Sequence, residues 1–380
     1  MNLPVLQIFA PDSPYRRLAS SLDGLPNRFP PAKDGSDLRL LACLFTPEQA
    51  GLAAGLLPEL ETSTQIYRRL GTDLHETAIL LKEMSQKGLI AVGKTAQGQL
   101  GFGLLPFIVG IYENQNKRID TELAQLFEDY YLQAFGGSLE IKPQVHRVIP
   151  VGESIPNSAE VMPYEQAGEI LKRFTKFAVA PCICREEKGF SGESCGKPLE
   201  TCLLMGGAAE SYLDHLRARE ITYEEAVHIL EIADRAGLVL QPVNTQDSAN
   251  FCCCCGDCCG VLRNVKRHPQ PSRMMASAFY AVLDQDQCDA CGTCLERCQM
   301  DAITIDSYAH INLDRCIGCG LCVTTCQQEA IQLKRKPENE VPHVPQNTLE
   351  LYARVAAAHG VLPEIGKMAL RSGMDRLRSR

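Results

Sequence analysis

No apolar stretch in this 380-residue chain approaches the roughly 20 residues that a membrane-crossing helix needs. The opening segment, Met1 to Arg17, lacks the basic start and apolar run of a secretory signal, so a cytoplasmic location is expected. Complete nucleotide-binding signatures are missing too. Gly101-Phe-Gly103-Leu-Leu-Pro106 lacks the last glycine of a G-x-G-x-x-G turn. Ser191-Gly-Glu-Ser-Cys-Gly-Lys-Pro198 has serine for the first P-loop glycine and proline after the lysine. H-E-x-x-H does not occur, and His215, His228 and His268 stand singly. There is no basic excess: a formal charge of −8 argues against wholesale binding to nucleic acid or a membrane surface. Cysteine is nearly absent from the first 181 residues, where Cys43 alone is expected as a small buried hydrophobe.

The other eighteen cysteines fall between Cys182 and Cys326. Disulfides are disfavoured in the cytoplasm, so clustered cysteines there point to metal ligands or redox groups. A chain of this length implies two or three domains. The expected class is α+β and multidomain. The expected order is an irregular arm (1–36), a helical domain with a β-ribbon (37–137), a cysteine-rich middle domain (138–275), a cysteine-repeat module (276–335) and a tail (336–380).

Within the N-terminal part, Thr46-Pro47 caps one helix, and a second covers Ser63–Leu70 and stops at Gly71. A third covers Leu74–Lys87, with Leu74, Ala78, Leu81 and Met84 at helical spacing. Two apolar segments, Leu89–Val92 and Leu100–Leu105, flank a turn at Gln97-Gly98. Three helices and a ribbon in this order resemble a winged helix-turn-helix domain. The third helix carries Asp73, Glu76 and Glu83 against Lys82 and Lys87, which disfavours phosphate contact and favours a docking or dimerisation role. Further helices are expected over Ile111–Phe135, with Leu123, Leu126, Phe127 and Tyr130 buried, and over Pro163–Lys176. Val145–Val151 reads as a strand. Thr222 to Glu225 has the form of a capping box, opening a helix that Gly237 closes. Thr348–Ala358 and Leu362–Arg371 read as tail helices.

Cys288, Cys291, Cys294 and Cys298 have the spacing C-x2-C-x2-C-x3-C, and Cys316, Cys319, Cys322 and Cys326 repeat it at an offset of 28 residues. Three thiolates two residues apart wrap one set of irons, aided by turns at Gly292 and Gly318/Gly320, while the fourth points to another cluster. Zinc also uses C-x2-C pairs, but the duplicated triple-then-single pattern argues against it. Haem attachment is excluded, because neither Cys291 nor Cys319 is followed by histidine. The stretch resembles the bacterial two-cluster ferredoxin. That resemblance implies one [4Fe–4S] cluster on Cys288, Cys291, Cys294 and Cys326, and a second on Cys316, Cys319, Cys322 and Cys298. It also implies a strand pair over Ala302–Ile305 and His310–Leu313. Gln299 and Gln327 stand where the family carries proline, which predicts an altered potential or flexibility and no loss of clusters. Residues 284–333 hold eight acidic and two basic residues, a balance that suits a basic redox partner.

Upstream lie Cys182, Cys184, Cys195 and Cys202, then six cysteines between Phe251 and Gly260. Adjacent side chains cannot all face one metal. A subset of Cys182, Cys184, Cys195, Cys202, Cys252, Cys254, Cys255, Cys258 and Cys259 is expected to hold a further centre. A third iron–sulfur cluster, a zinc or other structural site, and a redox-active thiol site are all open readings. The basic stretch Arg263–Arg273 is a candidate for lowering thiolate pKa values. Phe177 to Arg185, Cys195 to Cys202 and the cysteine run resemble a group of 4Fe–4S-binding proteins of anaerobic microbes with a winged-helix-like N-terminal part.

The functional expectation is an iron–sulfur electron-transfer protein, or a subunit of an anaerobic redox complex, serving the middle site or a partner oxidoreductase. Its partners would be a redox protein or the other subunits of such a complex. The alternatives are an iron–sulfur oxidoreductase with a catalytic cluster at the middle cysteines, and a redox-responsive winged-helix regulator.

Overall fold

The computed structural model describes residues 8–138, 142–155, 161–215 and 217–358. The chain divides into two units, 1–141 with 353–380, and 142–352.

The first unit is mainly helical. Helices α1 (Pro14–Asp23), α2 (Ser36–Leu44), α3 (Pro47–Ala53), α4 (Ser63–Leu70) and α5 (Leu74–Gln86) precede an antiparallel pair, β1 (Ala91–Lys94) and β2 (Leu100–Gly103). Local chemistry sets these boundaries. Thr46 and Thr62 form capping boxes with Gln49 and Gln65, and Asp73 accepts from the amides of His75 and Glu76. After α5, Gly88 takes a positive φ and the Leu89 amide returns to the Met84 carbonyl at 2.9 Å. Leu89 therefore finishes the helix, and β1 begins at Ala91 rather than Leu89. Leu18, Leu22, Leu40, Leu41, Ile66, Leu81 and Met84 are fully buried.

Two expectations for this unit are corrected. Cys43 is exposed: Leu38, Leu40, Leu41 and Leu44 supply the buried face of α2, and Cys43 falls outside it. The helix expected over Ile111–Phe135 is shorter, because Asp120 caps the Leu123 amide and starts α6 at Thr121–Tyr130, followed by a wider turn over Tyr131–Phe135. Leu123, Ala124, Phe127 and Tyr130 are its buried stripe, and Leu126 is half-buried.

The second unit is built on a five-stranded antiparallel sheet of order β5-β3-β4-β7-β6. Its strands are β3 (Phe177–Pro181), β4 (Glu200–Met205), β5 (Arg219–Ile221), β6 (Val239–Pro242) and β7 (Asn250–Cys254). Helix α7 (Ala167–Leu171) leads into β3, and α8 (Ile183–Phe190) follows it. Gln166 is extended between a 3-10 turn at Pro163–Glu165 and α7, so the single helix expected over Pro163–Lys176 is broken. Helices α9 (Gly206–Asp214) and α10 (Tyr223–Arg235) serve different sets of sheet side chains. Ala178, Ala180 and Leu204 pack with Ala209 of α9, while Phe177, Val179, Leu203 and Met205 pack with Ala226 and Ile229 of α10. The strand expected at Val145–Val151 is an extended segment making isolated bridges at His146↔Val243, Arg147↔Ala276 and Ile149↔Leu240. It is shared between neighbours and forms no ladder.

Helix α11 (Gly260–Arg267) leads to the duplicated repeats, where β8 (Phe279–Leu283) pairs with β11 (Ile331–Arg335). Between them lie α12 (Thr293–Arg297) and the hairpin β9 (Ile303–Ile305) with β10 (Ala309–Ile311). Met300, Ala302, Ile317 and Leu321 of the repeats share one core with Leu240, Phe251, Leu262 and Val265. Thr348–Ala358 is helical (α13), and Leu362–Arg371 lies outside the described residues.

Truncating Leu240 (1% exposed) to alanine should cost about 2–5 kcal/mol, read as a lower denaturant midpoint in anaerobic unfolding of the whole chain.

Candidate metal centres

Each set of repeat cysteines surrounds a pocket. Cys288, Cys291, Cys294 and Cys326 line one of about 330 Å³, counting its open mouth, together with Ile305, Ala309 and Ile331. Cys298, Cys316, Cys319 and Cys322 line the other, of about 410 Å³, with Ala281, Ile303, Ile317 and Leu333. In both, three cysteines of one repeat meet the fourth of the other. Backbone amides address the sulfurs: Ala309 donates to Cys288 Sγ at 3.4 Å, Ala281 to Cys316 at 3.4 Å and Ala302 to Cys298 at 3.2 Å. Burial raises the pKa values of Cys294, Cys316 and Cys322 and pushes Cys319 up to about 12. Thiols that resist ionising in apolar surroundings suit a soft cation that takes over their charge.

The two pockets differ in setting. Cys291 is exposed, whereas Cys316 and Cys319 pack against the core shared with the sheet. The second pocket is the inner one. Its loop depends on Gly318, at φ +68°, where an added Cβ would lie 2.1 Å from the Phe279 carbonyl oxygen.

The ten middle cysteines are sorted by the sheet. Strand side chains alternate faces, so Cys252 and Cys254 of β7 point to one side and Cys253 to the other. Cys202 on β4 is paired directly with Cys252. Cys182 ends the β3 region, Cys184 sits in the first turn of α8, and Cys259 caps α11. Their thiols are neighbours that influence one another in the order Cys182, Cys184, Cys259, Cys254, Cys252, Cys202. The two ends, Cys182 and Cys202, are close enough for their charges to interact. The neighbouring Cys202 and Cys254 thiols hold Cys252 well below the usual thiol range. Cys252 in turn pushes Cys202 and Cys254 upward.

Two residues that sequence reasoning missed adjoin these thiols. Gln241, paired with Cys252, donates through Nε2 to Cys259 Sγ at 3.9 Å, and its Oε1 has no partner among the described residues. His146 is buried, lies near enough to act on Cys252, and has an unpartnered Nδ1. Orphaned buried polar atoms beside six thiols fit a bound inorganic group. Neither residue carries a local motif, since each reaches the thiols only through strand pairing.

Cys195, Cys255 and Cys258 form a separate group, with Cys195 Sγ 3.7 Å from Cys255 Sγ. The Cys258 thiol, the amides of Cys258 and Asp257, and the Arg185 charge together hold Cys255 down to about 5. Arg185 is buried and also donates to the Cys253 carbonyl at 3.1 Å. The cation against Cys255 is thus Arg185, from the segment before the run. In the basic stretch after it, Lys266 pairs with Asp301. His228 binds Glu231, and His268 accepts from the Gln270 amide.

Residues 281–304 and 309–332 each match the profile of the 4Fe–4S binding domain. This part of the chain is a ferredoxin-like iron–sulfur module. No curated protein and no solved structure matches the chain. The iron–sulfur module and the middle cysteines together support an electron-transfer role.

The two basic residues of 284–333 both face the helices that pack on the sheet. Arg297 donates to the Arg235 carbonyl at the end of α10 and pairs with Asp234 at 2.8 Å; Arg315 donates to the Lys266 carbonyl at the end of α11. Beside the inner pocket, the Gly256 amide donates to Gln299 Oε1 at 2.7 Å in a buried contact. A proline at 299 would have no side-chain amide to accept this bond.

Gly318→Ala should remove the inner site while leaving the outer one. The expected result is a loss of about four irons per chain with an otherwise folded protein, measured by iron analysis and circular dichroism.

Proposed function

We propose that the chain relays electrons through two [4Fe–4S] clusters to a third centre at the six-thiol group. Cys288, Cys291, Cys294 and Cys326 would hold the outer cluster, and Cys316, Cys319, Cys322 and Cys298 the inner one. The carrying observation is the pair of crosswise-lined pockets, the inner one packed against the core that also holds Cys254, Cys255 and Cys259. The clusters supply the one-electron chemistry. The protein contributes thiolate ligands, amide hydrogen bonds to sulfur and exclusion of water, the factors that set cluster potentials. The Cys298–Gln299 and Cys255–Gly256 segments touch through the Gln299–Gly256 hydrogen bond, a short through-bond link from the inner cluster toward the middle cysteines.

The entry side follows from charge. All eight acidic residues of 284–333 are exposed, and Asp284, Asp286, Asp289 and Glu329 flank the outer ligands in sequence. Arg297 and Arg315 are turned inward to the helix ends. This leaves an acidic surface around the outer cluster, suited to a basic redox protein or complex subunit.

For the first unit, the order of helices and hairpin supports a winged-helix-like reading used for docking. On α5, Leu74 and Ile79 are exposed at 42% and 44%, beside Glu76 and Glu83, and Arg69 is engaged by Glu61. Phosphate binding would need free basic groups there.

Anaerobically purified protein should contain no fewer than about eight irons per chain and show cluster EPR signals on reduction; a lower iron content refutes the reading. Asp286→Lys with Glu329→Lys should slow reduction by a basic donor about tenfold at low salt and flatten its salt dependence, with iron content unchanged.

A further inference from the structure

Cys195, Cys255 and Cys258 differ from every other cysteine group in one respect. Their three sulfurs all lie within 4.8 Å of one another, and among the described residues no other three Cys, His, Asp or Glu ligand atoms do so. Both four-cysteine sets of the iron–sulfur module fail that criterion, as does the six-thiol group. The contrast has a geometric meaning. A single tetrahedral ion with metal–sulfur bonds of about 2.3 Å holds its thiolates about 3.8 Å apart. A four-iron cluster carries each thiolate on a different iron, so its ligands stand farther apart. The 3.7 Å between Cys195 and Cys255 is the single-ion spacing.

The setting agrees. Cys255 and Cys258 are buried and rigidly placed between β7 and α11, while Cys195 comes from the loop 191–199, whose other residues are exposed except for half-buried Lys197. Asp257, between the two buried ligands, is exposed. The buried Arg185 guanidinium, which donates to the Cys253 carbonyl at 3.1 Å, lies near enough to Cys255 to offset the charge of the thiolates. Three sulfur ligands with no fourth ligand side chain among the described residues make an arrangement that zinc completes with an exchangeable external ligand.

We propose that Cys195, Cys255 and Cys258 bind one zinc-class divalent ion, separately from the iron–sulfur centres, and that its fourth position is open on the side of the 191–199 loop to water or an external thiol. Binding releases the thiol protons to solvent and involves no electron transfer. This assignment stands independently of the electron-relay reading, because zinc and iron are counted separately.

The test uses the full chain purified anaerobically, with zinc and iron measured together. About one zinc per chain is expected beside the iron. Cys195→Ser, a change in an exposed loop, should weaken zinc retention against a chelator by about tenfold or more with iron and EPR signals unchanged. Cobalt(II) taken up in place of zinc should give a tetrahedral thiolate spectrum that shifts on adding mercaptoethanol. A wild-type chain that holds neither zinc nor cobalt overturns the proposal. So does Cys195→Ser retaining zinc fully, or losing about four irons, which would make the triad part of a cluster. A cobalt spectrum indifferent to mercaptoethanol would overturn the open position.

Discussion

Along β7 the backbone turns Cys252 and Cys254 to one face of the sheet and Cys253 to the other, and the strand ends before Cys255. This alternation divides a run of four identical residues into different environments. Cys252 and Cys254 join Cys182, Cys184, Cys202 and Cys259 in one group of neighbouring thiols. Cys253 is buried in the apolar core, where desolvation raises its thiol to about 12. Cys255, beyond the strand, turns toward Cys195 and Cys258. A helix through the same residues would have spread them around its circumference and produced neither group.

The second constraint is electrostatic. Residues 284–333 carry a strong acidic excess, and their two arginines are both spent on the carboxyl ends of α10 and α11, where exposed carbonyls and the helix dipole favour positive charge. The same contacts bring α12 and the inner cysteines against the sheet core. Orientation and surface charge therefore arise together: the inner pocket faces the middle cysteines, and the remaining surface is left acidic. Gln299 adds a buried hydrogen bond at the seam, next to Cys298 on one side and Cys255 on the other.

Local rules served the sequence well wherever a short-range signal sets the structure. The helices expected from Thr46-Pro47 and from the Thr222 capping signal start there, and Thr62 and Asp73 cap the two helices between them. The 28-residue repeat is matched by two 4Fe–4S binding domain profiles. Expectations failed where continuity was inferred from hydrophobicity alone. Asp120 and Gln166 interrupt the apolar periodicity of two expected helices, the first by capping and the second by an extended backbone. Cys43 is a small hydrophobe by residue type, but α2 has enough leucines to fill its buried face without it.

The sequence by itself determined the inventory: which residues can ligate metal, the duplicated spacing that makes an iron–sulfur module, and the acidic balance of that module. Spacing suffices there because the ligands lie on tight turns within a few residues of one another. Partition of the middle cysteines was decided only by the tertiary structure. Cys195 meets Cys255 across 60 residues, and Cys202 meets Cys252 through strand register. His146, Arg185 and Gln241 reach the thiols by the same long-range pairing. Pairing of this kind depends on the buried faces of several strands acting together, and no local pattern encodes it.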